Sequence, residues 1–315
     1  MEKDIRSKFL AEFTKRYGRL IKLDRSLSLY ESPETGLRLY IRYSKLHGKD
    51  KTFYGLRRMD LQRLEGHPSV ICFLWDGQRE PLLVPYSEFE EVFRELQPAA
   101  DGQFKSQVIL SEKGAQLYIA RAGRFDAEGY FGWTAAESQM KGRQGLHIPE
   151  LSHAQVQSML GAIGHSKGFD IWIPSQDRAS IDPGFAGSLS CRETLPDGYA
   201  KVASTLGEVD VLWFKRGANR LSALFEVEHT TSVYSALLRF NDLHLAYPET
   251  QPRFSVVASD TRRSLFVRQL NRPTFQASGL NELCTFQDYA NVFMWHSRVT
   301  AGASKEGHHG QQDSR

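Results

Sequence analysis

Residues 207–229 read GEVDVLWFKRGANRLSALFEVEH, and the alternation within them decides the fold. In a strand, successive side chains point to opposite faces. Val209, Val211 and Trp213 fall on one face, and Asp210, Leu212 and Phe214 on the other. Beyond KRGAN, Ala223, Phe225 and Val227 share a face, while Leu224, Glu226 and Glu228 share the opposite one. Gly217 and Asn219 tolerate the left-handed backbone of a short hairpin loop. A turn centred on Ala218 pairs Val211 with Phe225 and Leu212 with Leu224, apolar against apolar. The same register sets Asp210 opposite Glu226, with Glu228 two residues along on the same face.

Directly opposed positions bring β-carbons to about 4.5–5.5 Å. Two carboxylates that close repel unless a cation or a proton lies between them. Oxygen-only ligands suit a hard divalent cation, Mg²⁺ above all, with Mn²⁺ as a substitute. Such an ion polarises a phosphoryl oxygen and activates water, which is the chemistry of phosphodiester hydrolysis. The competing reading leaves these acids on a solvated strand face. Leu212 and Leu224 lie on that same face, which argues that it is covered.

Outward from the hairpin, 151–163 opens with Ser-His and carries Val156, Leu160 and Ile163 at helical spacing, with Gly164 as its expected stop. A strand is expected at 169–173, then a Gly/Ser/Pro-rich loop over 174–198. After the hairpin come a helix at 234–244 and a strand at 254–259. Nearer the N-terminus, Ile5, Phe9, Leu10 and Phe13 mark an amphipathic helix over 3–17. Strands are expected at 19–30, 37–43, 69–75, 105–110 and 115–121, a helix at 85–96, and a polar connection at 134–150.

The chain has 315 residues, 41% hydrophobic and 24% charged, a composition that excludes collagen, coiled coil and wholesale disorder. No run of 18 apolar residues exists, so no membrane partner is expected. The N-terminus MEKDIRSKFLAEF lacks a signal-peptide core. Cys72, Cys191 and Cys284 have neither disulfide-framework nor metal-ligand spacing. A soluble, cytoplasmic protein is the expectation. The motifs GxxxxGK[ST], GxGxxG, GxSxG and HExxH are absent, so no nucleotide cofactor is expected.

Asp210, then 15 intervening residues, then Glu226-Val227-Glu228, in an α-β-β-β-α-β setting, resembles the PD-(D/E)xK nuclease superfamily. The stretch LFEVEHTTSVYSALLRFNDL in particular is similar to a restriction-enzyme-associated group with an FEVEHTTS motif. The resemblance covers about residues 150–275, including the RPTF segment at 272–275. It implies an α/β fold (α+β overall), with a C-terminal restriction-endonuclease-like core behind a β-rich N-terminal domain. It also implies metal ligation by Asp210 and Glu226, and it puts Glu228 where the superfamily usually has lysine. That departure occurs in some active restriction enzymes and in members that have lost activity. Family nucleases often place a Glu or Gln of the first helix at the metal. Here Gln155 and Gln157 compete, and Gln157 is preferred because it points towards the packed side. His229, Thr230 and Thr231 leave the metal strand at its mouth, and Arg239 follows on the next helix; all are candidates for DNA phosphate contact.

The net charge of +3 is unevenly placed. Residues 36–63 hold eight basic residues against two acidic ones, which favours a polyanion. Tyr40, Tyr43, Phe53 and Tyr54 interleave there with Arg42, Lys45, Lys49, Lys51, Arg57 and Arg58. Cations of this kind bind phosphates, and aromatic faces stack on bases. The bland reading makes the aromatics core and the cations rim. The expected domains are 1–135, basic and DNA-binding, 150–300, nuclease-like, and a disordered tail at 301–315. The expected function is a Mg²⁺-dependent DNA endonuclease of restriction or defence, acting as a homodimer at least on DNA. The rivals are a catalytically inactive DNA-binding protein and an interaction subunit of a restriction or defence complex.

Overall fold

The structure, a computed structural model, describes residues 2–23, 26–48, 50–112, 114–141, 148–229, 232–250 and 252–306. Its chain divides into two compact units, Met1–Leu146 and His147–Arg315. Among the described residues, no helix is long and apolar enough to cross a membrane.

In the first unit, helix α1 (Glu2–Tyr17) precedes a sheet of β1 (Ile21–Lys22), β2 (Leu29–Glu31), β3 (Arg38–Ser44), β5 (Ser69–Trp75) and β6 (Leu82–Pro85), in the order β1-β2-β3-β5-β6. A second sheet takes β4 (Tyr54–Arg57), β7 (Gln103–Ser111), β8 (Gly114–Ile119) and β9 (Gly123–Asp126), in the order β4-β7-β8-β9. Short helix α2 (Arg58–Gln62) follows β4, and α3 (Tyr86–Glu95) follows β6. Alternation sorts the core. Leu39, Ile41, Val70, Cys72 and Leu74 meet Phe9 and Phe13 of α1, whereas Tyr40, Ile71 and Phe73 meet the second sheet through Tyr54, Leu56 and Val108. Within the expected strand at 19–30 the described residues form two short ones, β1 and β2. The expected connection at 134–150 begins with a helix, α4 (Thr134–Lys141). Its Ala136 and Met140 are buried, and the preceding Trp133 stacks on Phe9 at 5.4 Å.

The second unit is a five-stranded mixed sheet between helices. Its order is β10 (Phe169–Trp172), β11 (Val211–Lys215), β12 (Arg220–Glu228), β13 (Arg253–Ala258), β14 (Cys284–Asp288). The first three strands are antiparallel and the last three parallel. On one face, α5 (His153–Ser166) and α12 (Tyr289–Glu306) cover Val211, Trp213, Phe225 and Val227. Between β10 and β11 lie short helices α6 (Pro183–Ala186) and α7 (Ala203–Gly207). On the other face, α8 (Val233–Ala246), α9 (Arg263–Leu270), α10 (Pro273–Ser278) and α11 (Leu280–Leu283) cover Leu212, Leu224 and Val256.

The register pairs Val211 with Phe225 and Leu212 with Leu224, as the alternation requires, and then shifts between Trp213 and Phe214 to pair Phe214 with Leu221. Ser222 is the residue this bulge inserts into β12. Gly164 does not stop α5. It lies inside the helix, where a β-carbon would come within 2.4 Å of the Trp213 indole. Of the expected tail at 301–315, residues 301–306 continue helix α12, which runs through Glu306, and residues 307–315 lie outside the described residues.

Candidate active site

Glu226 and Glu228 project from the last turns of β12 onto the face that α8 covers, so both are buried, 1% and 3% exposed. Asp210 lies immediately before β11, outside its ladder, and its Oδ2 accepts the main-chain N–H of Val227 at 2.6 Å. This bond ties Asp210 to the strand segment between the two glutamates.

From α5, His153 Nε2 lies 3.2 Å from Asp210 Oδ1, and the partly exposed imidazole is pulled towards its protonated form by that contact. One turn further along, Gln157 is buried and donates from Nε2 to the Asp210 carbonyl at 3.0 Å and to Asp177 Oδ2 at 3.4 Å. Gln155 is occupied elsewhere. It completes a capping box with Ser152 and donates to Asp182 at 3.1 Å.

The electrostatics of Glu226 are dominated by burial, which pushes its carboxyl up to about 8. Asp210 and Glu228 push the same way, and Arg239 of α8 opposes them. The Arg239 fork is bidentate, Nε to Glu226 Oε1 at 2.7 Å and Nη2 to Oε2 at 3.2 Å, with Glu208 a further 3.7 Å neighbour. Arg239 is therefore turned inward to a carboxylate, and not outward as a phosphate contact. The physical reason is the burial of Glu226, which makes a charge partner on the covering helix worth more than solvent.

Among the described residues, no group of three or more His, Cys, Asp or Glu side chains converges as a cation site. The donor chemistry nevertheless fits one ion class. Carboxylate oxygens suit Mg²⁺, which is held by one or two protein carboxylates and keeps several waters. Asp210 and Glu226 would hold it, with Glu226 exchanging its Arg239 partner.

The other sequence-derived candidates are dispersed. His229 ends the β12 segment, exposed, with its ring stacked on Tyr289 at 5.9 Å and Nδ1 3.2 Å from the Tyr289 hydroxyl. Thr230, Thr231 and Lys49 lie outside the described residues. In the first unit, Lys45, Lys51 and Arg57 are exposed, while Arg42 and Arg58 are half-buried. Tyr40 and Tyr54 are core residues and do not offer faces to bases; Phe53 is 51% exposed and packs edge-on to His47. His153 and Asp177 are missing from the sequence reading. His153 lies four residues before Gln157, on the same helix face, a spacing that pointed to it. Asp177 sits in an irregular loop with no periodic signal.

A family model described as the type II restriction enzyme NmeDI C-terminal domain matches residues 136–299. The type II restriction enzyme NmeDI of Neisseria meningitidis serogroup C is 31% identical over 134 residues, which cover 39% of this chain and 37% of that enzyme. No solved structure matches the chain.

Proposed function

We propose, for a chain that belongs to the family of the type II restriction enzyme NmeDI C-terminal domain, that the second unit is the cutting domain of a Mg²⁺-dependent DNA endonuclease of restriction or defence. The observation that carries this reading is the Asp210–Val227 bond, which fixes one acid beside Glu226-Val227-Glu228. Bound to Asp210 and Glu226, Mg²⁺ (or Mn²⁺ in its place) would polarise a phosphodiester oxygen and strengthen water as a nucleophile.

The chain's own residues do the rest. Gln157 holds the Asp210 backbone, and His153 and the Val227 N–H hold its carboxylate, so that acid is preorganised. Arg239 would occupy both Glu226 oxygens until substrate and ion arrive. Glu228, buried at the end of β12, supplies the third negative group. The fold order α5-β10-β11-β12-α8-β13 supports placement in the PD-(D/E)xK superfamily. DNA would be held by Arg42, Lys45, Lys51 and Arg57 of the first unit and by His229 at the end of β12, with two copies of the chain on one duplex.

Incubation with varied duplexes and Mg²⁺ or Mn²⁺ tests the reading. Asp210→Ala and Glu226→Ala should abolish cleavage while circular dichroism and DNA retention hold, and Glu228→Ala should impair it less completely. If both of the first two variants cut like the parent, the assignment is wrong.

A further inference from the structure

We propose that the first unit carries a pocket for a single phosphoryl group, built from Arg6, Arg42 and Ser28. Arg6 of α1, Ser28 before β2, and Ile41, Arg42 and Tyr43 of β3 line a cavity of about 70 Å³. Two guanidinium groups share it. Arg6 donates from Nη2 to the Leu27 carbonyl and lies over the Tyr30 ring at 5.5 Å. Arg42 donates from Nη1 to Ser28 Oγ at 3.4 Å and lies over Tyr40 at 5.7 Å.

The Nε atoms of Arg6 and Arg42 are both buried and have no hydrogen-bond partner. Neither arginine forms an ion pair with a described residue. Asp76 accepts the Tyr43 hydroxyl at 2.9 and 3.0 Å.

A buried donor left without an acceptor is costly, more so on a charged group. Two like charges lining one small cavity add to that cost. A phosphate oxyanion removes both penalties at once, since guanidinium forks match its oxygens. The cavity is roomy enough for a tetrahedral oxyanion, a single water needing only about 10–15 Å³ by the same measure. The aromatic backing of both guanidiniums holds them in place without taking their in-plane donors. The pocket geometry stands by itself. Only the source of the phosphoryl group, a DNA strand or free phosphate, rests on the DNA reading above.

The full chain is titrated with inorganic phosphate, with sulfate and acetate as controls, and followed by thermal shift and calorimetry. Phosphate and sulfate should raise Tm saturably. Arg6→Gln and Arg42→Gln should weaken phosphate by at least about tenfold. Ser28→Asp, which places a carboxylate between the guanidiniums, should fold with a raised Tm and lose the phosphate response. That variant keeps the test decisive if either glutamine variant misfolds.

A second arm measures duplex binding against salt. A slope reduced by about one in Arg6→Gln or Arg42→Gln identifies a strand phosphate. An unchanged slope alongside lost phosphate binding identifies free phosphate as the ligand. No saturable phosphate response in the parent, or an equal response to acetate, overturns the pocket. If the parent binds no DNA but binds phosphate, the DNA reading fails and the pocket stands.

Discussion

Burial holds the Glu226 carboxyl at about 8, against an ordinary value of 4.5, and the Arg239 fork works against that rise. A carboxyl whose folded value is raised takes up protons on folding, so its contribution to stability is complete below about 4.5 and is lost as pH climbs to about 8. In EDTA, Glu226→Gln should therefore flatten the fall in Tm between pH 5 and 8 that the parent shows. A parent Tm that is level over that range would refute the assignment. Arg239 gives the complementary case. Removing the guanidinium removes what opposes the rise, so in Arg239→Gln the carboxyl should titrate higher still and the fall in Tm should extend to higher pH. The same variant should bind Mn²⁺ or Ca²⁺ more tightly than the parent by calorimetry, because the guanidinium no longer competes for Glu226. Equal metal affinity in the two proteins would show that Arg239 does not guard the carboxylate.

At the scale of elements, α5 lies close against β11. Trp213 Nε1 donates to the Leu160 carbonyl at 3.1 Å, and a β-carbon on Gly164 would meet the same indole at 2.4 Å. Gly164→Ala should cost about 1–3 kcal/mol by overpacking. Because α5 also carries His153 and Gln157, it should reduce cleavage beyond what the stability loss explains. Thermal melts and single-turnover cleavage at a temperature where both proteins are folded would separate the two effects.

The pairing of Val211 with Phe225 and Leu212 with Leu224 was legible because period-two alternation matches apolar with apolar; the bulge after Trp213 and the place of Asp210 outside the ladder were not. The helix α5 was legible in its start, Ser152, but not in its end, since a glycine required by close packing looks the same in sequence as a glycine that terminates. Strand β14 was not legible. Its CTFQD buries Thr285, Gln287 and Asp288, and Thr285 Oγ1 is satisfied by the Phe254 carbonyl at 3.2 Å and the Ser255 hydroxyl at 2.9 Å, contacts far away in sequence. The inward turn of Arg239 was hidden for the same kind of reason, because it depends on which face of α8 meets β12.

For the molecule as a whole, the basic excess of residues 36–63 is spread over strands of both first-unit sheets, with its tyrosines Tyr40 and Tyr54 in the core. Composition registered the charge correctly but could not tell rim cations from core aromatics. On the proposed function, one Asp210–Glu226 pair per chain would serve one scissile bond, so a double-strand cut would call for two chains. Light scattering of the full chain with a cleavable duplex and Ca²⁺ should give two copies per duplex. A single copy that linearises plasmid without a nicked intermediate would remove the dimer from the account.

The Val227 amide offers one more consequence. Its proton is held by a side-chain carboxylate, Asp210 Oδ2, at 2.6 Å, where a strand amide ordinarily faces a neighbouring carbonyl. In a nitrogen-15-labelled sample that resonance is a reporter sited between the two glutamates. Its chemical shift follows the charge on Asp210, and its solvent exchange follows the hold that this carboxylate keeps. On the proposed function, the arrival of an ion and of substrate would each be watched at one backbone position, in a protein that has not turned over.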